Sequence, residues 1–160
     1  TSLLPEGRET LGIDYDEDKI ALAQHGWLRN EHLQFRHGNA LEYPLPKSDV
    51  FILNDMLHYM SYEHQRSLLL KCAGRLRPQG MMIIRDGNSA NTSKQRLNRL
   101  TELLSTRIFN FNRTAGELHF TTETQLREIA VTCGMNVEII PNDKYTSNTI
   151  YIFRKPDWHE

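Results

Sequence analysis

The side chains of this 160-residue chain that could do chemistry fall in four short stretches, each just after a segment of strand character. In "LGIDYDEDKIALA" an apolar strand, Thr10–Asp14, ends in the carboxylate of Asp14, with the ring of Tyr15 beside it. Two carboxylate oxygens suit the two hydroxyls of a ribose, and a neighbouring ring can lie against a base. After a second strand, Leu33–His37, "GNALEYPLP" offers the Asn39 amide and the Ala40 backbone where a purine edge could be read. After a third, residues 49–54, "NDMLHYM" clusters Asn54, Asp55, His58 and Tyr59 where a reacting group could lie. His58 is the candidate general base, because imidazole titrates near neutrality, and Asp55 is the second candidate catalytic group. After a fourth, residues 80–86, come Arg85 and Asp86, as an ion pair in a pocket wall or as substrate contacts. Each stretch also has a plain structural account. Acids decorate helix starts, Gly-Asn makes turns, and a lone histidine can simply begin a helical layer.

The elements that must position these groups follow from periodicity. Asp16 is placed to cap a helix with Glu17 and Asp18 in its first turn, ending near Asn30. "DVFILN" and "GMMIIRD" are near-continuous apolar runs of strand length, as in parallel strands buried on both faces. Between them Ser61 caps a helix carrying Leu69, Cys72, Ala73 and Leu76, which stops before Pro78. A further helix is expected over residues 93–108, after a polar loop over 86–95. "TETQ" is a capping box for a helix that runs through Cys133 and ends at Gly134. Two last strands, residues 136–140 and 149–154, lie too close in sequence for a crossover helix and are expected to pair as an antiparallel hairpin. The alternation predicts an α/β fold: a mostly parallel sheet with helices on both faces, in one domain spanning residues 1–160. In such sheets ligands bind beyond the carboxyl ends of the strands, which is where the four stretches fall.

Composition narrows the function classes. A chain that is 39% hydrophobic and 24% charged supports a real core. A net charge of −1 without a basic stripe gives no footprint for nucleic acid or an anionic membrane. Cys72 and Cys133 sit in apolar helical patterns and read as buried free thiols of a reducing compartment. The seven histidines show no ligand spacing, so no metal site is expected. No apolar run reaches membrane-span length and no signal peptide opens the chain, so a cytoplasmic location is expected. The sequons at Asn91 and Asn112 stand without other signs of secretion.

Taken in order, "LGIDYDEDKIALA", "GNALEYPLP", "DVFILNDMLHYM" and "LRPQGMMIIRDG" resemble the class I S-adenosylmethionine-dependent methyltransferases. The resemblance covers roughly residues 3–87. In "LRPQG", Gln79 replaces the first glycine of the family's L-x-P-G-G. It implies a Rossmann-like, three-layer αβα sheet whose closing hairpin separates the family from the dinucleotide-binding dehydrogenases. It implies S-adenosylmethionine as cofactor. Asp14 would bind its ribose, Tyr15 would flank the adenine, Asn39 and Ala40 would read the adenine edge, and Asn54 would sit beside the methionine moiety or the transferred methyl. "RDGN", "LTELLSTRIFNFNRT" and "KYTSNTIYIF" further resemble the methyltransferase domain at the C-terminus of bacterial exporter–acyltransferase fusion proteins. That likeness implies a tether to a membrane protein at the inner face of the membrane and a small-molecule or lipid-like acceptor.

The family's first strand and D-x-G-x-G-x-G loop have no counterpart in "TSLLPEGRE". The chain is therefore expected to be an N-terminally truncated domain with impaired activity, with self-association through the sheet edges left open. Two other readings stay in play: a non-catalytic methyltransferase-like module, and a nicotinamide-dependent dehydrogenase of related fold.

Overall fold

The computed structural model describes residues 7–26, 31–87, 118–140 and 148–156. The chain divides into two compact units, Thr1–Leu45 and Pro46–Glu160. Architecture is mixed α/β throughout, as expected.

The first unit is a β-α-β turn of chain. Strand β1 (Thr10–Asp14) runs into helix α1 (Glu17–Gln24) and returns as β2 (Leu33–His37). The strands pair in parallel, with Thr10 opposite Leu33 and Asp14 opposite His37. Asp16 caps α1 by accepting from Lys19 N, and Glu17 and Asp18 fill the first turn, where the helix dipole favours acids. The helix ends at Gln24, with His25 as its C-cap. The expected extension toward Asn30 falls partly on residues 27–30, outside the described residues.

The second unit holds β3 (Ser48–Asn54), a one-turn 3₁₀ segment (Leu57–Tyr59), helix α2 (Tyr62–Arg75), β4 (Leu76–Gly87), helix α3 (Glu123–Thr132), β5 (Asn136–Ile140) and β6 (Asn148–Arg154). Its four strands lie in the order β3-β4-β6-β5. β3 and β4 are parallel, while β6 runs antiparallel to both neighbours. The hairpin of β5 and β6 is thus present, and β6 is the strand that enters beside β4. The polar loop beyond Gly87 and the helix expected over 93–108 lie outside the described residues.

Core formation follows the pleat. On β4 the side chains of Met82, Ile84 and Asp86 are buried, and on β6 those of Thr149, Tyr151 and Phe153. The ladder sets Met82 opposite Phe153, Ile84 opposite Tyr151 and Asp86 opposite Thr149. One sheet face is therefore an apolar row that closes on a polar pair. Leu68, Leu69 and Cys72 of α2 and Leu126, Ile129 and Ala130 of α3 are the buried helical stripes. The capping box forms at Thr122 and Gln125, and Gly134 takes φ +63° just past the helix, the left-handed geometry for which glycine is suited.

Three sequence expectations need correction. Leu76 does not belong to the helix before Pro78 but opens β4, since α2 ends at Arg75. β3 is not buried on both faces: Leu53 is buried, but Ile52 on the opposite face is 70% exposed. A continuous apolar run reports strand character, not how many layers cover it. Cys133 is only half-buried, because it is the C-cap residue of α3 and lies past the apolar stripe. Cys72 is buried, and burial pushes its thiol up to about 12.

Candidate active site

In the first unit, Asp14 stands at the carboxyl end of β1 with its side chain 45% exposed. Its Oδ1 accepts from Asp16 N at 2.9 Å, and Oδ2 meets Lys19 Nζ only at 3.9 Å. One oxygen shapes the turn, and the other keeps lone pairs for a hydroxyl donor. Tyr15 follows, 45% exposed, its ring centroid 5.8 Å from that of His37. His37 Nε2 donates to the Tyr15 carbonyl at 2.9 Å and ties the ends of β1 and β2 together. Asn39 Oδ1 accepts from Leu41 N at 3.0 Å, an Asx turn, while its carbonyl accepts from Glu42 N and Tyr43 N. With its side-chain oxygen used in the turn, Asn39 has its amide N–H groups to offer a base, and Ala40 lies within that turn. The donor and acceptor chemistry here fits an adenosine.

In the second unit, the carboxyl ends of β3 and β4 and the start of β6 bring two polar clusters together. Asp55 leaves β3 with φ +50°, a left-handed conformation that aspartate tolerates better than most residues. One of its oxygens is in an ion pair with Arg85 Nη1, and the other accepts from Asn148 Nδ2 at 2.8 Å. Arg85 Nη1 also donates to Asn54 Oδ1 at 3.2 Å, and Asp55 N donates to the Arg85 carbonyl at 2.8 Å. Both Asp55 oxygens are thus engaged in holding three strand ends in register. Asn54, on β3, is exposed.

The second cluster is buried. His58 is 5% and Asp86 4% exposed. His58 Nδ1 bonds Asp86 Oδ1. Asp86 Oδ2 accepts from Leu57 N at 2.8 Å and His58 N at 3.2 Å, and Oδ1 accepts from Gly87 N at 2.7 Å. The carboxylate therefore gathers three backbone donors as well as the ring. Among the described residues, His58 Nε2 is the buried side-chain polar atom without a hydrogen-bond partner. Leaving such an atom unsatisfied costs on the order of 1–3 kcal/mol, so its position calls for an explanation.

Aromatic rings pack around His58. Phe120 stacks on it with centroids 5.5 Å apart and planes at 18°, and Tyr59 lies 4.1 Å away, tilted by 48°. The Phe120 segment is fixed by His119 N donating to the His58 carbonyl at 3.0 Å. Gln65 of α2, 1% exposed, donates to the carbonyls of Leu57, Met60 and His119 and accepts from Thr121 Oγ1 at 2.6 Å. Tyr59 is shifted upward by burial and by the Asp86 and Asp55 carboxylates, which keeps its phenol protonated.

Of the residues singled out in sequence, Asp14 and Tyr15 fall on one strand end, Asn39 and Ala40 on another, and Asn54, Asp55 and His58 follow β3. What sequence reasoning missed is the partnership of Asp86 with His58, the packing of Phe120 and the hub at Gln65. A glutamine on the buried stripe of α2, three and four residues before Leu68 and Leu69, was a readable signal of a polar contact. Among the described residues no cluster of metal-ligating side chains occurs, and no helix is long and apolar enough to cross a membrane.

Comparison with known proteins supplies the family. Residues 1–82 match the model of a methyltransferase domain. A probable S-adenosylmethionine-dependent methyltransferase of Mycolicibacterium smegmatis is 32% identical over 128 residues, 70% of this chain and 48% of that protein. The chain thus spans about half the length of this curated relative. The N-methyltransferase NodS of Bradyrhizobium japonicum, solved with S-adenosyl-L-homocysteine, superposes with a TM-score of 0.67 at 16% identity, over 93% of this chain and 67% of its own. An O-methyltransferase family 2 protein of Planctomyces limnophilus, solved with apigenin, gives 0.66 at 20% identity, over 92% and 43%. The two structures share the fold, and the family match and the mycobacterial relative carry the assignment: this chain belongs to the S-adenosylmethionine-dependent methyltransferase family.

Proposed function

We propose that the domain transfers the methyl group of S-adenosylmethionine to a small-molecule or lipid-like acceptor. The observation that carries this reading is Asp14, a half-exposed carboxylate at the end of a parallel strand with one oxygen only weakly engaged, in a chain of this family. Bound S-adenosylmethionine supplies a methyl carbon already activated by its sulfonium, so the protein chiefly has to align the reactants. In this proposal Asp14 accepts from the ribose hydroxyls, Tyr15 flanks the adenine, and Asn39 and Ala40 meet its edge. Asn54 serves the methionine end, and His58 takes a proton from the acceptor. Asp55 acts by holding Arg85 and Asn148, which favours a positioning role over direct chemistry.

The likeness of "KYTSNTIYIF" and its companion segments to exporter–acyltransferase fusions supports the lipid-like option and a tether to a membrane protein at the cytoplasmic face. Self-association rests on β3, which among the described residues has one strand neighbour and carries the exposed Ile52.

The test is calorimetric titration with S-adenosylhomocysteine and with NAD. It is run on this chain and on a version with a strand and glycine-rich loop supplied ahead of Thr1. Clear heat with S-adenosylhomocysteine in the extended version, lost on Asp14→Ala, is expected. Binding of NAD instead would overturn the reading in favour of a dehydrogenase. Binding of neither would leave a non-catalytic module.

A further inference from the structure

We propose that His37 is a positioning residue for the adenosine end of the cofactor: it holds the Tyr15 peptide, so that the Tyr15 ring and the Asp14 carboxylate are set before the ligand arrives. The proposal rests on the methyltransferase reading above and adds to it a residue that acts through the groups touching the ligand.

The Tyr15 carbonyl falls between two regular elements. Strand β1 ends at Asp14, and helix α1 begins at Glu17. The Asp14 carbonyl accepts from Gly38 N at 3.0 Å, and the Asp16 carbonyl accepts from Ile20 N at 3.1 Å as the helix starts. Between them the Tyr15 carbonyl is past the ladder and ahead of the helix, and His37 Nε2 reaches it at 2.9 Å. A carbonyl only accepts, so Nε2 carries a proton. The neutral ring with its proton on Nε2 and the imidazolium make the same bond, which therefore does not turn on titration. Register explains the reach. His37 lies opposite Asp14 in the parallel ladder, so its side chain starts level with the end of β1.

This bond does little for the fold and much for the turn. His37 is exposed, so water can replace either partner at small cost to stability. Tyr15 is 45% exposed, so core packing does not by itself fix its ring. Side-chain rotamers follow the backbone φ and ψ. Holding the Tyr15 peptide therefore limits where its ring can point, and the ring also meets the imidazole, tilted by 52° with centroids 5.8 Å apart. The same peptide leads into Asp16, whose N–H donates to Asp14 Oδ1 at 2.9 Å. That bond decides which Asp14 oxygen is left for a ribose hydroxyl. Without His37 the turn would have to be ordered as the ligand binds, and the cost of that ordering is subtracted from affinity. With His37 the ordering is complete in the folded chain.

Three substitutions separate the bond from the ring. His37→Gln keeps a side-chain N–H donor, His37→Phe keeps a flat ring without one, and His37→Ala keeps neither. Nitrogen-15 NMR follows the Tyr15 and Asp16 amides of the 160-residue chain, which is then titrated with adenosine and with S-adenosylhomocysteine. Before any ligand is added, His37→Phe and His37→Ala should move both amide signals, and His37→Gln should return them toward wild type. Affinity for the two ligands should fall by a similar factor in His37→Phe and His37→Ala, roughly three- to tenfold as for one lost hydrogen bond, and recover in His37→Gln. The urea midpoint should stay near that of the wild type in all three, which a merely structural role would not allow alongside lost affinity. Amide signals that ignore His37→Ala overturn the proposal. So do affinities unchanged in His37→Phe and His37→Ala, or a loss that His37→Gln does not recover. The ligand-free spectra do not depend on the cofactor. Signals that respond as expected in a chain binding neither ligand, with or without the added glycine-rich loop, would uphold the hold of His37 on Tyr15 and count against the methyltransferase reading alone.

Discussion

Gly87 and Phe120 are fitted to each other: a Cβ at position 87 would stand 2.8 Å from Phe120 Cε1 and 3.1 Å from Cδ1. The same ring stacks on His58, so the missing side chain at the end of β4 lets an aromatic ring close over the His58–Asp86 pair. Gly87→Ala should force that ring off the imidazole and destabilise the fold by about 1–3 kcal/mol, as overpacking does. Urea unfolding measures the loss. Adding Phe120→Ala should make the double variant less damaged than the sum of the two single changes, since the residues share one contact.

Gln79 has φ +63°, in the region where glycine is at ease and other residues are strained. Its place in "LRPQG" is the one where the family's pattern has glycine. Gln79→Gly should therefore raise stability, by up to about 1 kcal/mol once the greater entropy of the unfolded glycine is set against the relief. A denaturant midpoint that falls would show that the glutamine side chain contributes more than its backbone costs.

The Arg85–Asp55 pair is more than a third exposed on both sides, so solvent screens it. A double-mutant cycle through Asp55→Asn and Arg85→Gln should give a coupling of about 1 kcal/mol or less. Asp55→Asn should leave S-adenosylhomocysteine binding unchanged in titration. Asp55→Ala should cost more than Asp55→Gly, because alanine is strained at φ +50° and glycine is not.

His58→Ala should lower turnover roughly 10²–10⁴-fold with a hydroxyl acceptor, the usual worth of a positioned general base. Methyl transfer is followed with tritiated S-adenosylmethionine and cofactor binding by calorimetry. The binding constant should survive the substitution. Unchanged turnover would remove His58 from the mechanism.

Cys72 should resist alkylation in the native protein, since its thiol is raised from 9.0 to about 12 by burial. Cys133, raised by burial to a lesser depth, should react first. The folded state holds the Cys72 proton more tightly than the unfolded chain does. That contribution to stability is therefore complete below about 9 and is lost as pH climbs toward about 12. Thiol titration with and without urea, and unfolding curves across that alkaline window, check both statements.

Local pattern alone determined much of this protein. Period and capping marked the strand ends at Asp14, His37, Asn54 and Gly87 to within a residue, the caps at Asp16, Ser61 and Thr122, and the stop at Gly134. These features are set by neighbours a few residues apart, which a linear reading can see. It also brought His58 forward as a candidate base, because imidazole chemistry belongs to the residue itself. What only the tertiary structure decided are the partnerships across long separations. Asp86 reaches His58 from 28 residues away because β3 and β4 are parallel neighbours whose carboxyl ends lie side by side. Asn148 reaches Asp55 across 93 residues because β6 enters antiparallel beside β4. Hydrogen-bond pairing between distant strands leaves no period in the sequence. In sequence Asp55 stood as the catalytic candidate and Asp86 as a partner of Arg85 or of substrate; the strand order instead gives Asp55 to Arg85 and Asn148, and Asp86 to the histidine.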